Sequence, residues 1–214
     1  KKIGHKVSII SQFKNLKYNN FKNLSYINLI KGSFLFKKYY IPNFDFIKKI
    51  YNGIKNSEII HIHGVWNGVV SISFLISRFL QKKIILTPHG SLDSYNVKNK
   101  YILKKIYFYL IERFNLKYVK GFHFLNLNEY KNSRWINILK NKKILIQSNG
   151  INQQFINNLK LKKQKNFSKK VNITYLGRLN KIKNIDLQIN LINYLKKRNK
   201  VYYLNIYGPN DGEL

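Results

Sequence analysis

The chain has 214 residues, 44% of them hydrophobic and 15% aromatic, which is enough apolar material for a core and excludes a disordered chain. It has no cysteine, which excludes disulfides, a thiol nucleophile and cysteine-ligated zinc. Lysine and arginine number 40 against 8 acids, and the net charge of +32 points to nucleic acid or an anionic surface as a partner.

That charge is spread over the whole chain and forms no single basic block. Lysine, asparagine, isoleucine, tyrosine and phenylalanine crowd the sequence and alanine is absent, the bias of an AT-rich gene. No apolar run reaches the length of a membrane span. Methionine is absent even at position 1. The chain is therefore expected to begin inside a longer reading frame or to have lost its start, which would also hide a signal peptide.

In chain order, Gly4 to Ile10 reads as a strand after a glycine turn, and Leu24 to Ile30 as another. Phe44, Ile47, Ile50 and Ile54 fall at helical spacing within Asn43–Lys55. Glu58 to Gly64 is a strand ending in glycine, and Gly68 to Leu80 a helix. Lys82 to Leu86 is a compact apolar run, read as a buried strand, and Pro88 and Gly90 bring it to a sharp stop. Tyr101 to Tyr118 reads as one long amphipathic helix, Gly121 to Leu125 as a strand, Asn128 to Leu139 as a helix and Lys143 to Ile146 as a strand. Phe155 to Lys170 is polar, and its later part reads as a linker. A second unit follows, with a strand from Val171 to Gly177, a helix from Asn184 to Arg198 and a strand from Val201 to Tyr207. Strands alternating with helices predict an α/β chain with parallel sheets. Two strands do not make a domain, so the second unit is expected to be truncated.

Three stretches carry candidate chemistry. In the first, Thr87-Pro88-His89-Gly90 places a histidine just past the carboxyl end of a buried strand, where open α/β sheets bind ligands. His89 can donate, accept and titrate near neutral pH; a satisfied histidine in a turn fits the same residues equally well. In the second, His61-Ile62-His63-Gly64-Val65-Trp66, the two histidines share one face of a strand. Without a third ligand nearby they do not argue for a metal. His63, Gly64 and Trp66 are expected in a loop beside His89, and His61 is expected to be packed under a helix.

The third stretch is Gly177-Arg178-Leu179-Asn180-Lys181-Ile182-Lys183, where a strand gives way to a helix. Free N–H groups at the helix start, the guanidinium of Arg178 and the point charge of Lys183 outline a diphosphate site. A solvated basic turn is the alternative. Paired carboxylates for hydrolysis are not obvious, since Asp93 and Glu129 have no evident partners. A Walker loop, a Gly-x-Ser-x-Gly elbow and an Asp-x-Asp pair are all absent.

Taken together, these pieces resemble glycosyltransferase family 4, the retaining sugar transferases of GT-B fold. Gly4-His5-Lys6-Val7 is similar to the family's Gly-His-x-Val strand. His61 to Trp66 resembles the His-x-His-Gly-x-Trp of a subgroup that builds bacterial surface polysaccharide, and Pro88 to Leu92 that subgroup's Pro-His-Gly-x-Leu, with Lys104-Lys105 beyond it. Glu129 sits where the family has a Ser/Thr-x-x-Glu helix start. Asn149-Gly150-Ile151 is similar to the family's Pro-Asn-Gly-Val/Ile-Asp junction. Leu176-Gly177-Arg178-Leu179 with Lys183 resembles the Gly-Arg-Leu-x-x-x-x-Lys-Gly donor motif, with Asn184 in place of its last glycine. The family's first strand would precede Lys1, and its Glu-x7-Glu motif would follow Leu214.

The resemblance implies two Rossmann-like domains, residues 1–165 on the acceptor side and 166–214 opening the nucleotide-sugar domain. It implies retaining transfer of a sugar from a nucleotide diphosphate donor to a glycan or lipid-linked acceptor, as in surface polysaccharide or lipopolysaccharide synthesis. Gly177, Arg178 and Lys183 would hold the donor diphosphate without a metal, and no cofactor is expected. His89 would be the catalytic residue that positions the donor sugar, and His63, Gly64, Trp66 and Gly90 would line the acceptor side. The expected setting is the cytoplasm. The aromatic, lysine-rich Tyr101–Tyr118 stretch itself fits two readings, peripheral contact with an anionic membrane or a helix packed on the sheet with a solvated face. The rival readings are a basic nucleic-acid-binding module and an inactive transferase fragment.

Overall fold

The computed structural model of the chain describes residues 4–11, 27–36, 40–98, 101–139, 141–151, 170–180, 183–196 and 201–210. The chain divides into two compact units, Lys1–Gly150 and Ile151–Leu214. The expected boundary at residues 165 and 166, and the linker read before Lys170, lie outside the described residues.

In the first unit β1 (Val7–Ser11) pairs in parallel with β2 (Ile27–Lys31). A short antiparallel pair that the sequence did not suggest follows, β3 (Phe34–Phe36) and β4 (Ile41–Pro42). α1 (Phe44–Lys55) starts where Asn43 accepts the Phe46 N–H at 2.9 Å, a side-chain cap for an otherwise unsatisfied donor. Phe46, Ile50 and Ile54, four residues apart, form its buried side.

The centre of the unit is a four-stranded parallel sheet in the order β5 (Ile59–His63), β6 (Lys83–Thr87), β7 (Gly121–Phe124), β8 (Lys143–Ile146). Helices connect the strands, as parallel pairing requires. α2 (Gly68–Phe79) joins β5 to β6 and is capped by Asn67, whose side chain accepts the Val70 N–H at 2.9 Å. Ile62, Phe74, Ile84, Leu86, Phe122 and Phe124 belong to one core cluster. Burying each such side chain contributes about 1.5–3 kcal/mol. The architecture is α/β, with a parallel sheet flanked by helices and compatible with a Rossmann-like fold.

Between β6 and β7 the chain runs through α3 (Ser94–Lys98), α4 (Tyr101–Tyr107), a π-helical turn (Phe108–Glu112) and α5 (Arg113–Tyr118). The single helix expected over Tyr101–Tyr118 is thus interrupted by a wider turn. The helix expected over Asn128–Leu139 is likewise two, α6 (Leu127–Lys131) and α7 (Ile136–Leu139). Between them Ser133 forms an antiparallel bridge with Asp93, and its hydroxyl donates to the Glu129 carbonyl at 3.0 Å.

The second unit holds β9 (Lys170–Leu176) and β10 (Val201–Tyr207), paired in parallel, and α8 (Ile185–Leu195) with Ile185 and Ile192 buried. No helix among the described residues is long and apolar enough to cross a membrane.

Candidate active site

The carboxyl ends of β5, β6 and β7 bring four histidines together. His61 and His63 project from one face of β5, with ring centroids 4.3 Å apart. His89 follows β6, and its ring stacks on His63 at 5.1 Å. His123 lies on β7, 6.0 Å from His61. His61 is exposed, not packed under a helix as expected. A strand buries only one face here: Ile62 is inward, which turns His61 and His63 outward.

Hydrogen bonds order this cluster. His63 Nδ1 lies 2.8 Å from His89 Nε2. His61 Nε2 lies 2.7 Å from Thr87 Oγ1, which lies 3.0 Å from His123 Nδ1. His123 Nε2 lies 2.8 Å from the Gln147 carbonyl. A carbonyl only accepts, so His123 Nε2 carries a proton. In the tautomer with its one proton at Nε2, His123 accepts at Nδ1 from the Thr87 hydroxyl, and the Thr87 oxygen accepts from His61 Nε2–H. One carbonyl at the end of β8 therefore sets the tautomer of a ring on β5, three strands away.

Burial, and then the neighbouring imidazoles His61, His89 and His123, push the His63 pKa down to about 4. His61 is lowered by burial first, then by His123 and His89. Both rings are therefore neutral at pH 7. His89 and His123 stand where the sequence had suggested no further ligand beside His61 and His63. Still, among the described residues no group of three or more His, Cys, Asp or Glu is arranged to hold a metal ion.

The loop that carries His89 is held from several sides. His89 has φ +52° and Gly90 φ +71°, both in the left-handed region, which costs a non-glycine residue about 1 kcal/mol. Glu129 holds the turn in place. Its Oε1 accepts the Gly90 N–H at 2.6 Å and its Oε2 accepts the Leu125 N–H at 2.8 Å. Glu129 is itself set by the start of α6, where Asn126 accepts its N–H at 2.8 Å. Asn96 Nδ2 donates to the Gly90 carbonyl at 2.8 Å, and Lys104 Nζ donates to the Asn96 carbonyl at 2.5 Å. Asp93, the other carboxylate considered, accepts the Tyr95 N–H at 2.8 Å and ends a turn.

The loop after β5 is tied to the same place. The Gly64 N–H donates to the Thr87 carbonyl at 2.8 Å, and Trp66 Nε1 donates to the Ser91 carbonyl at 2.8 Å. Trp66 is partly buried and packs on the core and on Trp135, with ring centroids 5.6 Å apart. His63, Gly64, Trp66, His89 and Gly90 thus meet at one end of the sheet. Beside His61 and His63 lies a cavity of about 670 Å³ whose polar lining includes Ser8, Ser11, Asn67 and Ser73.

Gly177, Arg178 and Lys183 belong to the second unit. The Gly177 N–H donates to the Tyr207 carbonyl at 2.9 Å, and the Tyr175 hydroxyl donates to the Arg178 carbonyl at 2.9 Å. The turn between β9 and α8 is thereby fixed at its backbone, with the Arg178 and Lys183 side chains exposed. Asn184 precedes α8 with φ +50° and ψ +48°. Asparagine tolerates that left-handed position, which explains how it stands where the resembled motif has glycine.

His123, Thr87 and Gln147 were not singled out from the sequence. The signal was present for His123: in Gly121-Phe122-His123-Phe124 the two phenylalanines alternate with it, so it must point away from the core.

No protein-family model matches the chain, and no curated protein matches it in sequence.

Proposed function

We propose that the protein is a retaining glycosyltransferase that moves a sugar from a nucleotide diphosphate donor to a glycan or lipid-linked acceptor. The observation that carries this reading is the Glu129 carboxylate on the Gly90 N–H, which holds His89 in a left-handed turn beside His63 at a strand end. A fixed, unfavourable backbone at the carboxyl end of a parallel sheet is characteristic of a ligand site.

In this reading the chain carries the acceptor-side domain of a GT-B enzyme and the opening of its nucleotide-sugar domain. His89 hydrogen-bonds the donor sugar and positions its anomeric carbon. His63, Gly64, Trp66 and Gly90 line the acceptor side. The bond between the anomeric carbon and the diphosphate oxygen breaks, and the acceptor oxygen bonds to that carbon on the same face. The acceptor proton leaves with the diphosphate. Arg178 and Lys183, with Gly177 allowing close approach, stabilise the charge on the departing diphosphate. The reaction needs no redox cofactor. Cytoplasmic synthesis of surface polysaccharide is the setting that fits such a donor.

The test is nucleotide-sugar hydrolysis and transfer across a donor panel, with and without chelator, beside Arg178→Ala. Chelator-insensitive turnover that falls at least a hundredfold in the variant supports the reading. The net charge of +32 favours a second reading, a basic nucleic-acid-binding module. It predicts no turnover and steeply salt-dependent RNA or DNA binding that survives Arg178→Ala.

A further inference from the structure

The helical stretch between β6 and β7 turns an unusual side to solvent. Residues four apart on a helix stack into a ridge. Ile102, Ile106, Leu110 and Phe114 form one ridge and are 73%, 52%, 70% and 51% exposed. Lys105, Tyr109, Arg113 and Lys117 form the next ridge and are also exposed. Phe108, Glu112 and Leu116, on the protein side, are buried. The stretch therefore already packs on its own unit without the apolar ridge. Its one carboxylate, Glu112, is buried, so the solvent side carries positive charge and no negative charge.

We propose that this face docks on an anionic membrane surface, with the apolar ridge among the acyl chains and the basic ridge at the headgroups. An apolar strip beside a cationic strip is the pattern of a helix lying in a membrane interface. The charge decides between occupants. A second copy of this chain would set Lys105, Arg113 and Lys117 against like charge and bring +32 of its own. An anionic lipid surface attracts each of those cations, by about fivefold per charge near the surface. The docking is peripheral, and it stands apart from the sugar-transfer reading.

A chain of this charge adsorbs to any anionic vesicle, so the test must report on the face itself. Leu110→Trp and Leu187→Trp, the second on the exposed side of α8 in the other unit, place an indole at each position. Vesicles of phosphatidylcholine with about 30% phosphatidylglycerol, or with none, are the probes. The expected result is a blue shift and quenching by brominated lipid at position 110 and neither at 187, only with the anionic vesicles. The double variant Ile106→Ser/Leu110→Ser leaves the net charge unchanged. It is expected to lower partitioning about tenfold or more, with an unaltered circular dichroism spectrum. Equal signals at both positions, no signal at 110, or unchanged partitioning of the double variant overturns the proposal. So does a dimer in lipid-free sedimentation that the double variant abolishes.

Discussion

The rings of His63 and His89, 26 residues apart in the chain, meet at 2.8 Å between Nδ1 and Nε2. Such a bond needs a proton on one nitrogen and a lone pair on the other, so the pair keeps it with one positive charge and loses it with two. The His63 pKa, held near 4 by burial and by its neighbours, lies below the ordinary value of 6.5. The unfolded chain therefore takes up this proton first. The stability contributed by His63 is complete above pH 6.5 and is lost as the pH falls toward 4. Imidazole resonances followed by NMR should show His63 neutral at pH 6. His89→Ala should move its midpoint upward but not fully to 6.5, because burial is the larger cause. A His63 midpoint at 6.5 in the parent protein would be the wrong outcome.

Glu112 has the opposite sign. It is fully buried, its Oε1 has no hydrogen-bond partner, and burial pushes its pKa up to about 7 from 4.5. The Asn115 side chain and the Trp66 backbone N–H offset this in part. The folded protein binds this proton more tightly than the unfolded chain does. Its contribution is complete below pH 4.5 and is lost as the pH rises through about 7, a difference of about 3 kcal/mol. Glu112→Gln should raise the thermal midpoint at pH 8 by several degrees and change it little at pH 5. Equal midpoints at both pH values in parent and variant would contradict the assignment.

Glu129 spans two donors, the N–H groups of Gly90 and Leu125. Hydrogen bonds to a charged group are each worth about 1.5–3 kcal/mol. Glu129→Ala should cost about 3 kcal/mol in denaturant unfolding. Glu129→Gln should cost nearly as much, because its amide turns an N–H toward one of the two donors. Both variants release the turn at His89, so under the transferase reading both should also lose turnover.

The glycines after β5 and β10 differ in what surrounds them. At Gly64, with φ +79°, an added Cβ meets nothing within 4 Å, so Gly64→Ala carries only the left-handed strain of about 1 kcal/mol. At Gly208 the added Cβ would lie 1.7 Å from the Gly177 carbonyl oxygen. Gly208→Ala should therefore separate the ends of β9 and β10 and remove hydrogen-exchange protection at the Gly177 and Leu179 amides, which bond to the Tyr207 and Pro209 carbonyls. Retained protection in Gly208→Ala would show that the turn is held by something else.

Regular elements were readable from the sequence because each has its own period. Phe44, Ile47, Ile50 and Ile54 mark α1 at helical spacing, although the buried side is Phe46, Ile50 and Ile54 and Phe44 is exposed, and the run before Thr87 marks β6. The strand-end loops at His63 and His89 were readable for a related reason: glycine and proline stop a strand where they stand. Relations between strands have no such local mark. His61 was expected under a helix because nothing in its own strand shows that Thr87 and His123 lie beside it. Register between β5, β6 and β7 decides that, and register belongs to pairs of segments. Glu129 reads in the sequence as a helix start and as a carboxylate without an evident partner, yet its carboxylate reaches 39 residues back to Gly90. The split of the helix expected over Asn128–Leu139 has the same origin, since Ser133 is drawn into a bridge by Asp93.

The π-helical turn at Phe108–Glu112 takes up one residue more than an α-helical turn does. The extra residue is absorbed within that turn, so α5 keeps the phase of α4 and presents Asn115 and Leu116 to the core. Removing one exposed residue of the turn would close it to an α-helical turn and leave Asn115, Leu116 and Val119 on the buried side. The segment holds a spare residue that the sheet following it does not feel.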